Sequence, residues 1–188
     1  LLADFAEPLP VRVIAELLGV SKKDEHQLRP WSQAIVKMYE FEVTPEEESQ
    51  AEIASQEFAD MITDMVNFRK KNPSDDLVSE LAQVEDSGEK LTLRELIATC
   101  VLLLNAGHEA SVNAFGNGFV ASMQNDKARS LLRTQPRAIS ESAVEEFLRF
   151  DAPLQLFERT ALADTEIGGV TIKTGQKIAA LQIGRAHV

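Results

Sequence analysis

The stretch that most constrains this fold is the helical pattern running from Thr92 to about Met123. Thr92 with Glu95 three residues on makes a capping box that opens it. Some thirty residues at the helical rise give roughly 45 Å, about the width of a large domain. Leu96, Ile97, Val101, Leu102, Leu103 and Leu104 leave no wet face, so the helix is expected to run through a core. Inside it stands a polar interruption, Asn105-Ala106-Gly107-His108-Glu109-Ala110-Ser111. A glycine, a histidine and a carboxylate there weaken the helix and must find partners away from water. Such costs persist mainly where something is bound or transformed, which makes this the first place to look for function.

The bulk properties narrow the class. At 188 residues the chain is one large domain or part of a bigger one. It is 44% hydrophobic and 26% charged, with no low-complexity tract. A net charge of -11 argues against nucleic acid, which demands a basic surface. The single cysteine, Cys100, excludes a disulfide framework and a multi-cysteine metal site, and fits a reducing, cytoplasmic setting. No apolar run approaches membrane-spanning length and no signal peptide is visible, so no membrane is expected. The chain opens without methionine at Leu1-Leu2-Ala3-Asp4-Phe5 and closes mid-pattern. It reads as a fragment truncated at both ends.

Start and stop signals divide the chain into many helices. Pro8-Leu9-Pro10 precedes an apolar pattern through Val13, Ile14, Leu17 and Leu18, stopped by Gly19. Ser21 with Asp24 resembles a capping box opening a helix that carries Leu28, Trp31 and Ile35. Thr44-Pro45-Glu46-Glu47 starts a helix that runs to Arg69-Lys70-Lys71 before Pro73. Its large apolar positions are sparse, which predicts a surface helix. Ser74 is expected to cap a short helix through Leu77 and Leu81, followed by a polar loop from Glu85 to Lys90. After the long helix, further helices cover Lys127 to Arg133 and the stretch from near Ser140 to before Pro153. Phe157 to Leu162, Thr165 to Ile172 and Ile178 to Leu181 are short β-patterned runs, with turns at Gly168-Gly169 and Thr174-Gly175. The class is mainly α, an α-rich α+β fold with a small sheet near the carboxyl end. No repeat and no linker marks a domain boundary.

Glu146 and Arg149 stand three residues apart and share a helix face. An isolated pair of this kind is either a solvated surface contact or a buried, bidentate pair fixing a neighbouring loop. The order of motifs carries more. A long helix with Ala106-Gly107-His108-Glu109 is followed by Glu146 and Arg149, then Arg159 and the Gly168-Gly169 hairpin. In that order and spacing the chain resembles a bacterial cytochrome P-450, a soluble haem-thiolate monooxygenase. The resemblance runs from Leu1 to about Leu181. Pro8-Leu9-Pro10-Val11 with Ile14 to Val20 is similar to the family's early helices, Leu102 to Asn113 with Gly116-Asn117-Gly118 to its long I helix, and Ala143 to Phe150 to its K helix.

The resemblance implies an oxidoreductase that binds haem (iron protoporphyrin) and inserts one oxygen atom from O2 into a small apolar organic substrate. Electrons would come from a ferredoxin- or flavin-type donor. It implies that Ala106 and Gly107 lie against the haem at the oxygen site and that Glu109 belongs to the acidic position relaying protons. Glu146 and Arg149 would form the structural ion pair of the haem-binding core, and Arg159 would pair with a haem propionate. Leu103, Ala110, Leu154, Gln155 and Phe157 would contribute to the substrate wall. His108 is read as non-ligating, and Cys100, nearly two turns before the oxygen site, as a small buried hydrophobe. No metal ligand is expected in this chain.

Two departures matter. The family usually has threonine where this chain has Ala110, followed by Ser111. Ala110 donates no proton, and Ser111 sits about 100° round the helix, so substrate- or water-assisted proton delivery is expected. The family's cysteine loop lies beyond the hairpin region, so the proximal thiolate is not in this chain and the fragment alone is expected to be inactive. The last residues, Ile183 to Val188, do not continue the family pattern. The codons ATC GGA AGA GCA CAC GTC would encode them, a string resembling a common sequencing adapter, with Gln182 compatible with the two bases before it. The expected division is therefore 1–182 as a partial family domain and 183–188 as a non-native tail. Two other readings stay open: a non-catalytic helical ligand-binding or interaction module on the same scaffold, and a peroxide-using haem-thiolate enzyme, which Ala110 favours.

Overall fold

A computed structural model of the chain describes residues 1–40, 42–83 and 91–182. The expected loop Glu85 to Lys90 and the tail 183–188 lie outside the described residues. The chain divides into two compact units, Leu1–Val112 and Asn113–Val188, with the division falling inside a helix.

The first unit begins with a π-helical turn, Leu2–Ala6, and α1, Pro8–Leu18. Pro8 suits the first helical turn because its missing N–H has no intrahelical partner to lose. Val11, Ile14, Ala15 and Leu18 form the buried stripe. Gly19 ends α1 with φ +80°, its N–H on the Glu16 carbonyl and the Val20 N–H on the Ala15 carbonyl, a Schellman ending. A side chain at Gly19 would also meet Asp76 Oδ2 at 2.3 Å. Asp76 is taken up by Arg69, whose Nε donates to Oδ2 at 2.7 Å while its Nη2 donates to the Gly19 carbonyl at 3.2 Å. One guanidinium thereby ties three helix ends together.

Helix α2, Glu25–Val36, starts later than the Ser21–Asp24 signal implies. Ser21 Oγ donates to the Asp24 carboxylate at 2.7 Å instead of accepting from backbone, so the expected capping box does not form. Aspartate is a methylene shorter than the glutamate or glutamine the box uses. A short 3-10 turn, Lys37–Tyr39, follows. Helix α3, Pro45–Arg69, has the full capping box of Thr44 and Glu47. It is not a surface helix in the expected sense: Phe58 and Ile62 are fully buried. The large apolar residues alone mislead because Ala51 and Ala54 complete the buried stripe with Phe58, Ile62 and Val66. Trp31 of α2 packs on Phe58, ring centroids 5.7 Å apart, and its Nε1 donates to Glu57 Oε2 at 2.7 Å. Helix α4, Leu77–Gln83, is capped by Asp76, which accepts from the Ser79 N–H at 2.8 Å, rather than by Ser74. Ser74 instead donates its own N–H to Ser79 Oγ.

Helix α5, Leu93–Gln124, opens with the Thr92–Glu95 capping box and continues unbroken through the polar interruption. In the second unit Asn125 caps α6, Asp126–Thr134, through the Ala128 N–H. Helix α7, Pro136–Phe150, begins four residues before Ser140, because Pro136 supplies the first position. The expected single small sheet is two antiparallel pairs. Strand β1, Leu156–Thr160, pairs with β4, Lys177–Leu181, and β2, Thr165–Ile167, pairs with β3, Val170–Ile172. Gly168 and Gly169, at φ +59° and +79°, make the tight turn of the second pair. β1 stops at Thr160, before the buried Ala161 and the exposed Leu162. No helix among the described residues is long and apolar enough to cross a membrane.

Candidate active site

The long helix has two contrasting faces in the first unit. Leu96, Cys100, Leu104 and His108 repeat every fourth residue and are buried, with Asn105 beside them. Leu102, Ala106 and Glu109 form an exposed stripe, Leu102 being 61% exposed. The expectation of no wet face is therefore corrected. An apolar run is buried only where something packs on it, and the described residues of this unit pack on one side of α5.

Gly107 faces α1. A Cβ on it would lie 2.5 Å from Ile14 Cδ1, so the missing side chain lets the two helices approach. The close approach accounts for this glycine without a ligand. Ala106, the next residue, projects about 100° away onto the exposed stripe. Leu103, Ala106 and Ala110 share a face at i, i+3 and i+7, with Leu103 and Ala110 half-buried. Ser111 is exposed and off that face.

Glu109 is exposed, and its carboxylate adds to the field at Lys37. That ammonium is held charged chiefly by Glu40, whose Oε1 accepts from Nζ at 2.8 Å. His108 is buried with Nδ1 3.2 Å from Ser32 Oγ of α2. Burial pushes its pKa down, against the pull of Glu109, and keeps the ring neutral near pH 7. Burial likewise pushes the Cys100 thiol up to about 11, so it stays protonated.

In the second unit Glu146 and Arg149 meet as a bidentate pair. Arg149 Nε donates to Oε2 at 2.6 Å and Nη2 to Oε1 at 2.7 Å. The guanidinium lowers the Glu146 pKa and the carboxylate raises that of Arg149. Both side chains are about half exposed, so the pair is bidentate as in one reading and solvated as in the other. Phe147 packs on Gly118, where an added Cβ would meet its ring at 2.3 Å, and Asn117 Nδ2 donates to the Asp151 carbonyl at 3.4 Å. These two residues of α5 anchor α7, a role the sequence reading did not assign. A small residue within an apolar helix was the available signal, and its partner lay 29 positions away.

Arg159 stands exposed on β1 opposite Ile178. Its Nη1 donates to the Glu158 carbonyl at 2.9 Å, and its guanidinium lies 5.4 Å from the Phe157 ring centroid. Phe157 and Arg159 thus share one face of the strand, while Glu158 turns to Lys177 on the other at 2.8 Å. Leu154 and Gln155 are exposed before β1, and Phe157 is half-buried. The predicted residues therefore form two groups, 103–111 on one helix and 146–159 around α7 and β1.

Comparison with known proteins adds the lineage. The sequence model of the cytochrome P450 family matches residues 25–185. A putative cytochrome P450, YjiB, of Bacillus subtilis is 38% identical over 96% of this chain and 46% of its own length. The 6-deoxyerythronolide B hydroxylase of Saccharopolyspora erythraea is 40% identical over 89% of this chain and 40% of its own. Among solved structures, P450BioI in complex with a fatty-acyl acyl carrier protein superposes with a TM-score of 0.86 at 34% identity, covering 96% of this chain and 46% of that one. The chain spans about half the length of the curated relatives it matches. Its pattern of helix signals and their folded order have the same origin: the chain belongs to the cytochrome P450 family.

Proposed function

We propose that the protein carrying this chain is a haem-thiolate monooxygenase that inserts one oxygen atom from O2 into a small apolar organic substrate. The observation that carries the reading is the α5 stripe, where Leu102, Ala106 and Glu109 lie exposed side by side opposite the buried face of Leu96, Cys100, Leu104 and His108. A flat apolar group suits such a face, because Ala106 presents nothing larger than a methyl. Haem, when bound, supplies the redox chemistry and the oxygen activation. Ala106 leaves space on its face, and Leu103 and Ala110 beside it would give a substrate an apolar wall. In the second unit Arg159 would hold a haem propionate with its fork of donors. Gly107 contributes through helix packing, since its open side is taken by Ile14.

Glu109 moves protons at its carboxylate, which is open to water. Ala110 has no hydroxyl to pass them on, and Ser111 points elsewhere. A water or a substrate hydroxyl therefore delivers the proton, and Ala110→Thr is expected to change the coupling of electrons to product. Unchanged coupling contradicts this step. Electrons come from a ferredoxin- or flavin-type donor. The 188 residues alone form no thiolate centre, because their one cysteine, Cys100, is fully buried and protonated. A thiolate-type band from the reduced, carbon-monoxide-treated chain overturns that statement.

The test is turnover of the full-length protein under isotopically heavy dioxygen with ferredoxin and its reductase. One heavy atom per product molecule is expected. Product oxygen drawn from water contradicts it, and turnover with peroxide but not with reductase partners favours the peroxide-using enzyme that Ala110 also permits. Absence of a cysteine in a glycine-rich loop of the full gene favours the non-catalytic module.

A further inference from the structure

Three helices of the first unit meet at a set of buried polar groups that the haem reading leaves unused. Asn105 is 6% exposed, and neither its Nδ2 nor its Oδ1 has a hydrogen-bond partner among the described residues. His108 is 4% exposed; Nδ1 reaches Ser32 Oγ, while Nε2 is also without a partner among them. Residues three apart on a helix are neighbours, with Cβ atoms about 5–6 Å apart, so the two buried side chains leave the same stretch of α5. The Glu7–Arg29 ion pair from the start of α1 and from α2 is close enough to act on the His108 charge. Arg29 Nε is a further buried donor with no partner among the described residues.

Leaving these atoms bare is costly. A buried amide or imidazole nitrogen without a hydrogen bond has given up its hydration for nothing in return. Substituting apolar side chains would remove that cost, yet the sequence places Asn and His on the inward face that Leu96, Cys100 and Leu104 otherwise make apolar. The groups are complementary: a carboxamide donor, a carboxamide acceptor and a ring nitrogen that takes either part according to its tautomer. Buried water is held by two to four such partners, and an ion would find no compensating charge in the carboxamide. We propose that Asn105 and His108 Nε2 bind an internal water molecule between α5 and α2, completing a polar joint whose protein part is the His108–Ser32 hydrogen bond. Asn105 and His108 are positioning residues here. The joint fixes the rotation of α5 about its axis, and so the direction of the Leu102–Ala106–Glu109 stripe. The water site rests on the hydrogen-bonding inventory alone and stands or falls separately from the haem reading.

The test is a high-resolution crystal structure of the chain, read together with water-to-amide cross-relaxation in solution at Asn105 and His108. The expected result is an ordered water within about 3.2 Å of both the carboxamide and His108 Nε2. Direct pairing of the two side chains, or an empty contact between them, overturns the proposal. Asn105→Leu gives an independent reading of sign. If the amide is hydrated, the leucine strips the water and leaves His108 Nε2 bare, so the melting temperature falls. If the amide is dry and unsatisfied, the leucine relieves it and the melting temperature rises, which overturns the proposal. Should Asn105→Leu not fold, Asn105→Ser keeps the site polar and is expected to retain the water signal.

Discussion

The two units bury apolar surface in very different measure. In Leu1–Val112 a continuous core joins α1 to α5, with Leu18, Leu28, Phe58, Ile62 and Leu104 fully buried. In Asn113–Val188 no residue of α6 or α7 is buried, and Val144, Leu148, Phe150, Leu154 and Leu156 each stand 41–54% exposed. Its elements are held by local devices: the Asn125 cap, the Gly168-Gly169 turn, and Asp164 accepting from Lys173 and Thr174. Burial supplies most of the free energy of folding, whereas caps and exposed ion pairs each contribute little. The first unit is thus the source of this chain's stability, and the second displays its residues on a lightly packed frame.

The sharpest way to break that contrast is a pair of truncations. Phe58→Ala is expected to lower the unfolding free energy by about 3–5 kcal/mol, and Phe150→Ala by no more than about 1. Urea denaturation of the chain measures both, and equal losses would erase the difference between the units. Gly118→Ala and Gly107→Ala sharpen it. The first forces Cβ to 2.7 Å from Phe147 Cβ, close to backbone, and is expected to cost about 1–3 kcal/mol. The second meets the tip of Ile14, which can swing away, and alanine's better helix propensity offsets part of the strain. Gly118→Ala should therefore be the more damaging in the same assay; the reverse order would show that α7 yields more readily than Ile14.

A smaller effect is expected from pH. Burial holds the folded-state pKa of His108 below 6.5, its unfolded value. Above that pH both states carry a neutral ring and no stability is lost. As the pH falls below 6.5 the unfolded chain takes up a proton that the folded chain resists, so stability drops until the folded pKa is reached. Wild type should lose stability as the pH falls below 6.5 while His108→Gln does not, in paired denaturation curves. The lowered carboxylates Glu47, Glu95, Glu146 and Asp164 act in the same direction, but only below their ordinary value of about 4. Smallest of all is Glu146→Gln. That pair is solvated in this chain, and its loss should leave the denaturation midpoint within error.

Features decided within four residues were legible in the sequence. Thr44 with Glu47, Thr92 with Glu95, and Gly19 after Leu18 each do what their spacing implies, because a cap involves only its own turn. Ser21 and Asp24 failed for want of one methylene. The burial of α3 is not legible because alanines make up two of the five residues of its inner stripe, and pattern reading weighs large side chains. The candidate site could be marked in the sequence as a segment and as a family motif, but not in its contacts. Ile14 against Gly107 and Ser32 against His108 join residues 93 and 76 positions apart, and no local spacing encodes such pairs. The polar interruption thus turned out to serve two faces: Asn105, Gly107 and His108 turn into the first unit, and Ala106 and Glu109 turn out of it.

That split is the centre of the account, and a single substitution on the outward face tests it. Carbon monoxide binding to the reduced haem of the full-length protein should weaken at least about tenfold in Ala106→Leu, with the fold intact by circular dichroism, because the added isobutyl group occupies the ligand's space. Unchanged carbon monoxide affinity in a folded Ala106→Leu protein would contradict the assignment of this face of α5 to the haem.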